Sequence, residues 1–156
     1  SVFDKRVGRE TLKERGNQPV REYVGAVFAA GLAYLSARGD IPREFTLVPA
    51  PTRPRSARAR GGDPVAAVCH TAAQLQRVGV CAALSMGQST ADQSELNAQD
   101  RWANLQGRVR VHAPIARAPA LLADDVVTTG ATLAASIAAL QAAGVEVCGA
   151  LVFADA

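Results

Sequence analysis

The sequence predicts an α/β protein with a doubly wound, mainly parallel sheet. Three observations lead there. Short apolar runs of strand length alternate with longer runs of helical periodicity, the order of βαβ units. Prolines and glycines punctuate these runs where helices should start and stop. The 156 residues amount to one domain, 49% hydrophobic and 20% charged, which is a globular composition.

Pro19 opens the first helical pattern, expected over residues 20–38. Val20, Val24, Val27, Phe28 and Leu35 recur at three- and four-residue steps and give one apolar face. Asn17 stands where an N-cap belongs, and Gly39 where the helix should end. Residues 45–48 read as a short buried strand, broken by Pro49, Pro51 and Pro54. Asp63 and Pro64 read as an N-cap and a first-turn proline. The helix behind them should reach Arg77, with Val65, Val68, Ala72 and Leu75 on one side and Gly79 as its stop. Residues 80–84 read as a second strand.

Residues 86–107 are mostly polar as far as Leu96. A connection this long inside a compact domain is usually functional or mobile. Its second half, 97–105, fits a short helix, and residues 109–111 alternate as a strand. Residues 118–123 read as a strand, 131–143 as a helix ended by Gly144, and 145–153 as the last strand.

Composition excludes several classes. The longest apolar run, residues 26–35, is too short for a bilayer, which needs about 20 residues. No charged-then-apolar leader opens the sequence, so a cytoplasmic setting is expected. Cys69, Cys81 and Cys148 are widely spaced, and His70 and His112 are the only histidines. No zinc site or disulfide framework is expected from them; they read as small buried residues in a reduced compartment. The net charge is +3, but Arg53, Arg55, Arg58 and Arg60 crowd together. Such a cluster attracts phosphate, pyrophosphate or nucleic acid, and it reads equally well as a solvated basic face. Lys5 and Lys13 are the only lysines and neither follows a glycine, which excludes a Walker A loop.

The chemistry concentrates in residues 119–133, Pro-Ala-Leu-Leu-Ala-Asp-Asp-Val-Val-Thr-Thr-Gly-Ala-Thr-Leu. An apolar strand should end in the carboxylates Asp124 and Asp125. A Thr- and Gly-rich turn follows, then a helix start. Open α/β sheets bind ligands at the carboxyl ends of their strands. The turn offers backbone N–H donors and hydroxyls from Thr128, Thr129 and Thr132 beside a helix dipole, a cradle for a phosphate monoester. The carboxylates repel phosphate and suit sugar hydroxyls instead. Gly130 should let the backbone approach a ligand closely.

This run resembles the 5-phosphoribosyl-1-pyrophosphate (PRPP) motif of type I phosphoribosyltransferases. The resemblance implies that Asp124 and Asp125 hold the ribose hydroxyls. It implies that Thr128, Thr129, Gly130, Ala131 and Thr132 hold the 5′-phosphate. In the 6-oxopurine enzymes of that family an acid stands where this chain has Thr128, so hypoxanthine and guanine are the less expected acceptors.

Residues 48–61, Val-Pro-Ala-Pro-Thr-Arg-Pro-Arg and onward, resemble the arginine-rich segment of the ComF/GntX family. Residues 93–105 resemble that family's Gln-x-x-Leu…Arg-x-x-Asn-Leu stretch, and residues 13–16 its Lys-x-x-Gly. The resemblance implies a single phosphoribosyltransferase-like domain over 1–156. Residues 1–44 would be a helical segment and partial hood, and 45–156 a PRPP-binding core. Residues 50–53 would form the pyrophosphate loop, with Thr52 and Arg53 as contacts. Residues 86–107 would be a flexible loop closing over the sugar, with Gln93, Arg101 and Asn104 in contact. Arg101 and Asn104 fit a surface helix face equally, and Trp102 is better read as packing than as a base stack. Magnesium would arrive with PRPP and be held mainly through it, with no direct protein ligand assigned. Related folds often dimerise, which leaves a homodimer open.

Two functional readings follow from the resemblance. In the first, the chain is a phosphoribosyltransferase that releases pyrophosphate and passes the phosphoribosyl group to an acceptor the sequence does not identify. No residue is an obvious general base. In the second, it is a catalytically weak or inactive PRPP- or nucleotide-binding accessory protein in DNA uptake and competence, with nucleic acid as partner. No aromatic residues interleave the arginine run to support a single-strand stacking platform.

Overall fold

The computed structural model describes residues 18–51, 64–87, 108–115, 119–127 and 130–155. Their order is α1 (Gln18–Arg38), β1 (Thr46–Pro49), α2 (Pro64–Gln76), β2 (Gly79–Val80), β3 (Leu84–Met86), β4 (Val109–Val111), β5 (Ala120–Val127), α3 (Ala131–Ala142) and β6 (Val147–Asp155). The chain is an α/β protein. Four strands form a parallel sheet in the order β2-β1-β5-β6, while β3 and β4 form a separate antiparallel pair.

Strand alternation splits the apolar residues between two cores. Leu47, Leu121, Ala123 and Leu151 pack with Val24, Phe28 and Leu32 of α1 and Val65, Val68 and Cys69 of α2. Val48, Ala120 and Leu122 pack on the opposite face with Ala135 and Leu140 of α3 and with Leu84, Met86 and Val109 of the antiparallel pair. Layers on both faces of a parallel sheet are compatible with a doubly wound fold. Each fully buried Leu, Phe or Val stabilises by about 1.5–3 kcal/mol, so Phe28, Leu32, Leu47, Leu121, Leu122 and Leu140 dominate the core. The expected face of α1 is buried at Val24, Phe28 and Leu35. Leu75 of α2, expected inside, is exposed.

The helices α1 and α3 end as expected, on glycine. Gly39 has φ 77°, and the bonds from Gly39 N to Ser36 O and Asp40 N to Leu35 O complete a Schellman cap. Gly144, with φ 78°, does the same for α3 through Gln141 O and Leu140 O. The end of α2 differs from expectation. Arg77, not Gly79, takes the left-handed conformation, with φ 54°, and Val78 N bonds Ala73 O. Gly79 is instead the first residue of β2.

Four strands also depart from the sequence reading. β1 runs through Pro49, because Pro49 pairs with Ala123. The single strand expected over 80–84 is two elements. β2 covers two edge residues, Cys81 N still bonds Leu47 O, and the chain then leaves the sheet to pair as β3 with β4. β5 is longer than its apolar core and continues to Val127, because β6 runs beside it as far as Asp155. For the same reason β6 starts at Val147 and ends past Phe153.

Candidate functional site

The sheet order fixes where a ligand crevice can open. From β1 the chain crosses over through α2 to β2, on one side. From β5 it crosses over through α3 to β6, on the other side and the opposite face. The adjacent strands β1 and β5 therefore lie at a topological switch point. Their carboxyl ends part there, which is where open α/β sheets bind ligands.

The two strand ends are tied just below the crevice. Thr46–Pro49 pairs in register with Ala120–Ala123, and Ala50 N donates to Ala123 O at 2.7 Å. Ala50 and Pro51 are buried. The expected pyrophosphate loop thus leaves the sheet directly beside the residue that precedes Asp124. Thr52 and Arg53 lie outside the described residues, as do Arg55, Arg58 and Arg60.

Asp124 is half-buried and pairs with Val152 of β6. The expectation that the strand ends at the acid pair is corrected: Asp124 and Asp125 both lie within β5. Pairing with β6 carries the extended backbone past them. Thr128 and Thr129 lie outside the described residues.

Gly130 precedes α3 with φ 74° and ψ 0°, and its carbonyl accepts from Ala134 N at 2.9 Å. A Cβ built at Gly130 meets none of the described residues within 4 Å. The left-handed backbone, not crowding within the protein, is what requires glycine here. Ala131 and Thr132 are half-buried in the first turn of α3, and Thr132 O accepts from Ser136 Oγ at 2.6 Å. That bond fixes a buried hydroxyl beneath the turn. The positive end of the α3 dipole therefore follows β5 after only three intervening residues.

Gln93, Arg101, Asn104 and Trp102 lie outside the described residues. The root of their segment does not. Gly87 N donates to Arg108 O at 2.8 Å, and Arg108 Nε donates to Gly87 O at 2.9 Å. Sequence reading passed over Arg108. Its one signal was position, a cation at the junction between a polar stretch and an alternating strand.

Among the described residues no three His, Cys, Asp or Glu side chains gather as metal ligands, and no helix is long and apolar enough to cross a membrane. The cysteines are free: Cys69 is buried, as expected, whereas Cys81 and Cys148 are only half-buried. Burial pushes the Cys148 thiol above its ordinary value, the charge of Glu146 adds to this, and a backbone hydrogen bond partly opposes it. No protein-family model and no curated protein matches this sequence.

Proposed function

We propose that the chain binds PRPP with magnesium at the switch point between β1 and β5, as a phosphoribosyltransferase of the type I kind related to ComF/GntX proteins. One observation carries the reading. The strand that leads into the arginine-rich segment and the strand that carries Asp124 and Asp125, far apart in the sequence, are neighbours in the sheet and are joined by the Ala50–Ala123 bond.

Each residue then has a physical role. Asp124 and Asp125 accept hydrogen bonds from the ribose hydroxyls. The turn from Thr128 to Thr132 and the start of α3 hold the 5′-phosphate by N–H and hydroxyl donors at the helix dipole. Thr52 and Arg53 hold the diphosphate, arginine by its forked donors. Magnesium would neutralise the diphosphate through the substrate's own oxygens, with the acid pair nearby. Displacement at C1 breaks the bond to pyrophosphate, and the protein's share is positioning and charge neutralisation.

Calorimetric titration of PRPP, with and without Mg²⁺, tests this against an Asp124→Asn/Asp125→Asn double variant. Magnesium-dependent binding that the variant loses supports the site. Failure of the wild type to bind PRPP overturns it. Salt-sensitive DNA binding that survives the double substitution would favour the accessory-protein reading instead.

A further inference from the structure

We propose that Ser136 is a positioning residue for the phosphate cradle at the start of α3, acting through the peptide unit that joins Thr132 to Leu133. The inference rests on the reading of that turn as a 5′-phosphate site, and adds to it a residue that never meets the ligand. Ser136 is fully buried, the only polar side chain among the described residues with no exposure at all. Its Oγ donates to Thr132 O at 2.6 Å, one turn back along the helix.

The packing of the fold does not account for a hydroxyl there. Alanine occupies positions 134, 135, 138 and 139 around it, and alanine is the better helix former. The bond stays within α3, so it ties no two elements together. A serine bonded back to the preceding turn slightly destabilises and bends a helix. What the bond changes is local: it draws one carbonyl of the first turn toward Oγ.

That carbonyl is half of a rigid plane. The Thr132 C=O and the Leu133 N–H belong to one planar trans peptide and point in opposite directions. The helix ladder begins where Ala134 N donates to Gly130 O at 2.9 Å. The Thr132 and Leu133 amides, ahead of it, have no carbonyl within the helix to donate to. They point out of the N-terminus, where the helix dipole favours an anion. Thr132 O already accepts from the Ser136 amide in the ladder, and the hydroxyl adds a second donor. Tilting the carbonyl tilts the Leu133 N–H at the other end of the plane, and the second bond polarises that N–H further. Ser136 therefore sets both the aim and the donor strength of one amide of the cradle, from beneath it.

Calorimetric titration of PRPP with Mg²⁺ into the whole chain, wild type against Ser136→Ala and Ser136→Thr, tests it. Ser136→Ala should weaken binding roughly three- to tenfold, the effect of about one hydrogen bond, with an unchanged or higher melting temperature. Ser136→Thr keeps the donor and should stay within about twofold of the wild type. The Leu133 amide proton resonance gives a second reading. Its shift on adding PRPP should be smaller in Ser136→Ala than in the wild type, and this comparison decides alone if the threonine methyl does not fit the buried position. Unchanged affinity in Ser136→Ala, or a Leu133 shift as large as in the wild type, overturns this inference and leaves the reading of the site standing. A wild type that does not bind PRPP overturns that reading, and this inference with it.

Discussion

The Ala50 amide donates to the Ala123 carbonyl at 2.7 Å, and beyond this bond the two central strands part. Everything proposed for the switch point hangs from it. Ala50 leads into the arginine-rich segment, and Ala123 leads into Asp124. The bond holds the start of the arginine-rich segment beside the strand that carries Asp124, and the proposed ligand, with both phosphate and hydroxyl groups, would use both.

Gly130 separates a strain effect from a ligand effect. Gly130→Ala places a Cβ at φ 74° in space that no described residue fills. Left-handed strain alone should cost about 1–2 kcal/mol of stability, read by denaturant unfolding. If a phosphate occupies that space, PRPP affinity should fall by much more than tenfold in protein that is still folded. Equal affinity in the folded variant would place the ligand elsewhere.

Gly25 sets how closely α1 approaches α2. A Cβ there would lie 2.6 Å from both Cβ and Cγ2 of Thr71. Alanine gains about 1 kcal/mol in helix propensity over glycine, whereas overpacking costs about 1–3 kcal/mol. The clash should win, and Gly25→Ala should lower the unfolding midpoint. In a Thr71→Gly background the clash is gone, and the same substitution should become stabilising.

Arg77 is an exposed arginine held at φ 54°. Arg77→Gly relieves the left-handed strain but adds freedom to the unfolded chain. The balance should favour glycine by roughly 0.5–1 kcal/mol. Differential scanning calorimetry should show a higher melting temperature, and an unchanged or lower one would contradict the capping role.

Cys148 should make stability fall with alkalinity. Its folded thiol is raised above the ordinary value, so the folded state holds the proton more tightly than the unfolded one. The resulting stabilisation is complete below the unfolded thiol value, about 8.5, and is lost as pH rises through the higher folded one. Denaturation midpoints from pH 7 to 10 should slope downward, and Cys148→Ala should flatten that part of the slope.

Much of this was legible in the sequence, for local reasons. Helix α1 announced itself through Val24, Phe28 and Leu35, and its end through Gly39. Turn chemistry misled at α2, because tertiary pairing drew Gly79 into β2 and left Arg77 to take the left-handed role. Residues 80–84 read as one strand because periodicity cannot show a chain changing sheets. The extension of β5 through Asp124 was hidden too, since acids are poor strand formers and only the pairing with β6 holds them extended. At the switch point, the residue types were readable, but the adjacency of Ala50 and Ala123 was not. No local pattern encodes strand order.

That strand order also bears on how the chain folds. β6 follows β5 across α3, and β2 follows β1 with α2 before it, so each half assembles from nearer neighbours in the chain than the seam does. The β1–β5 seam joins segments with 70 residues between them, from 50 to 119, and closing so long a loop should be the slow, entropically costly step. The crevice should therefore be the last feature to form. A chain with both halves folded but the seam open would carry every site residue and still have no site, so ligand added during refolding should trap only molecules that have already finished.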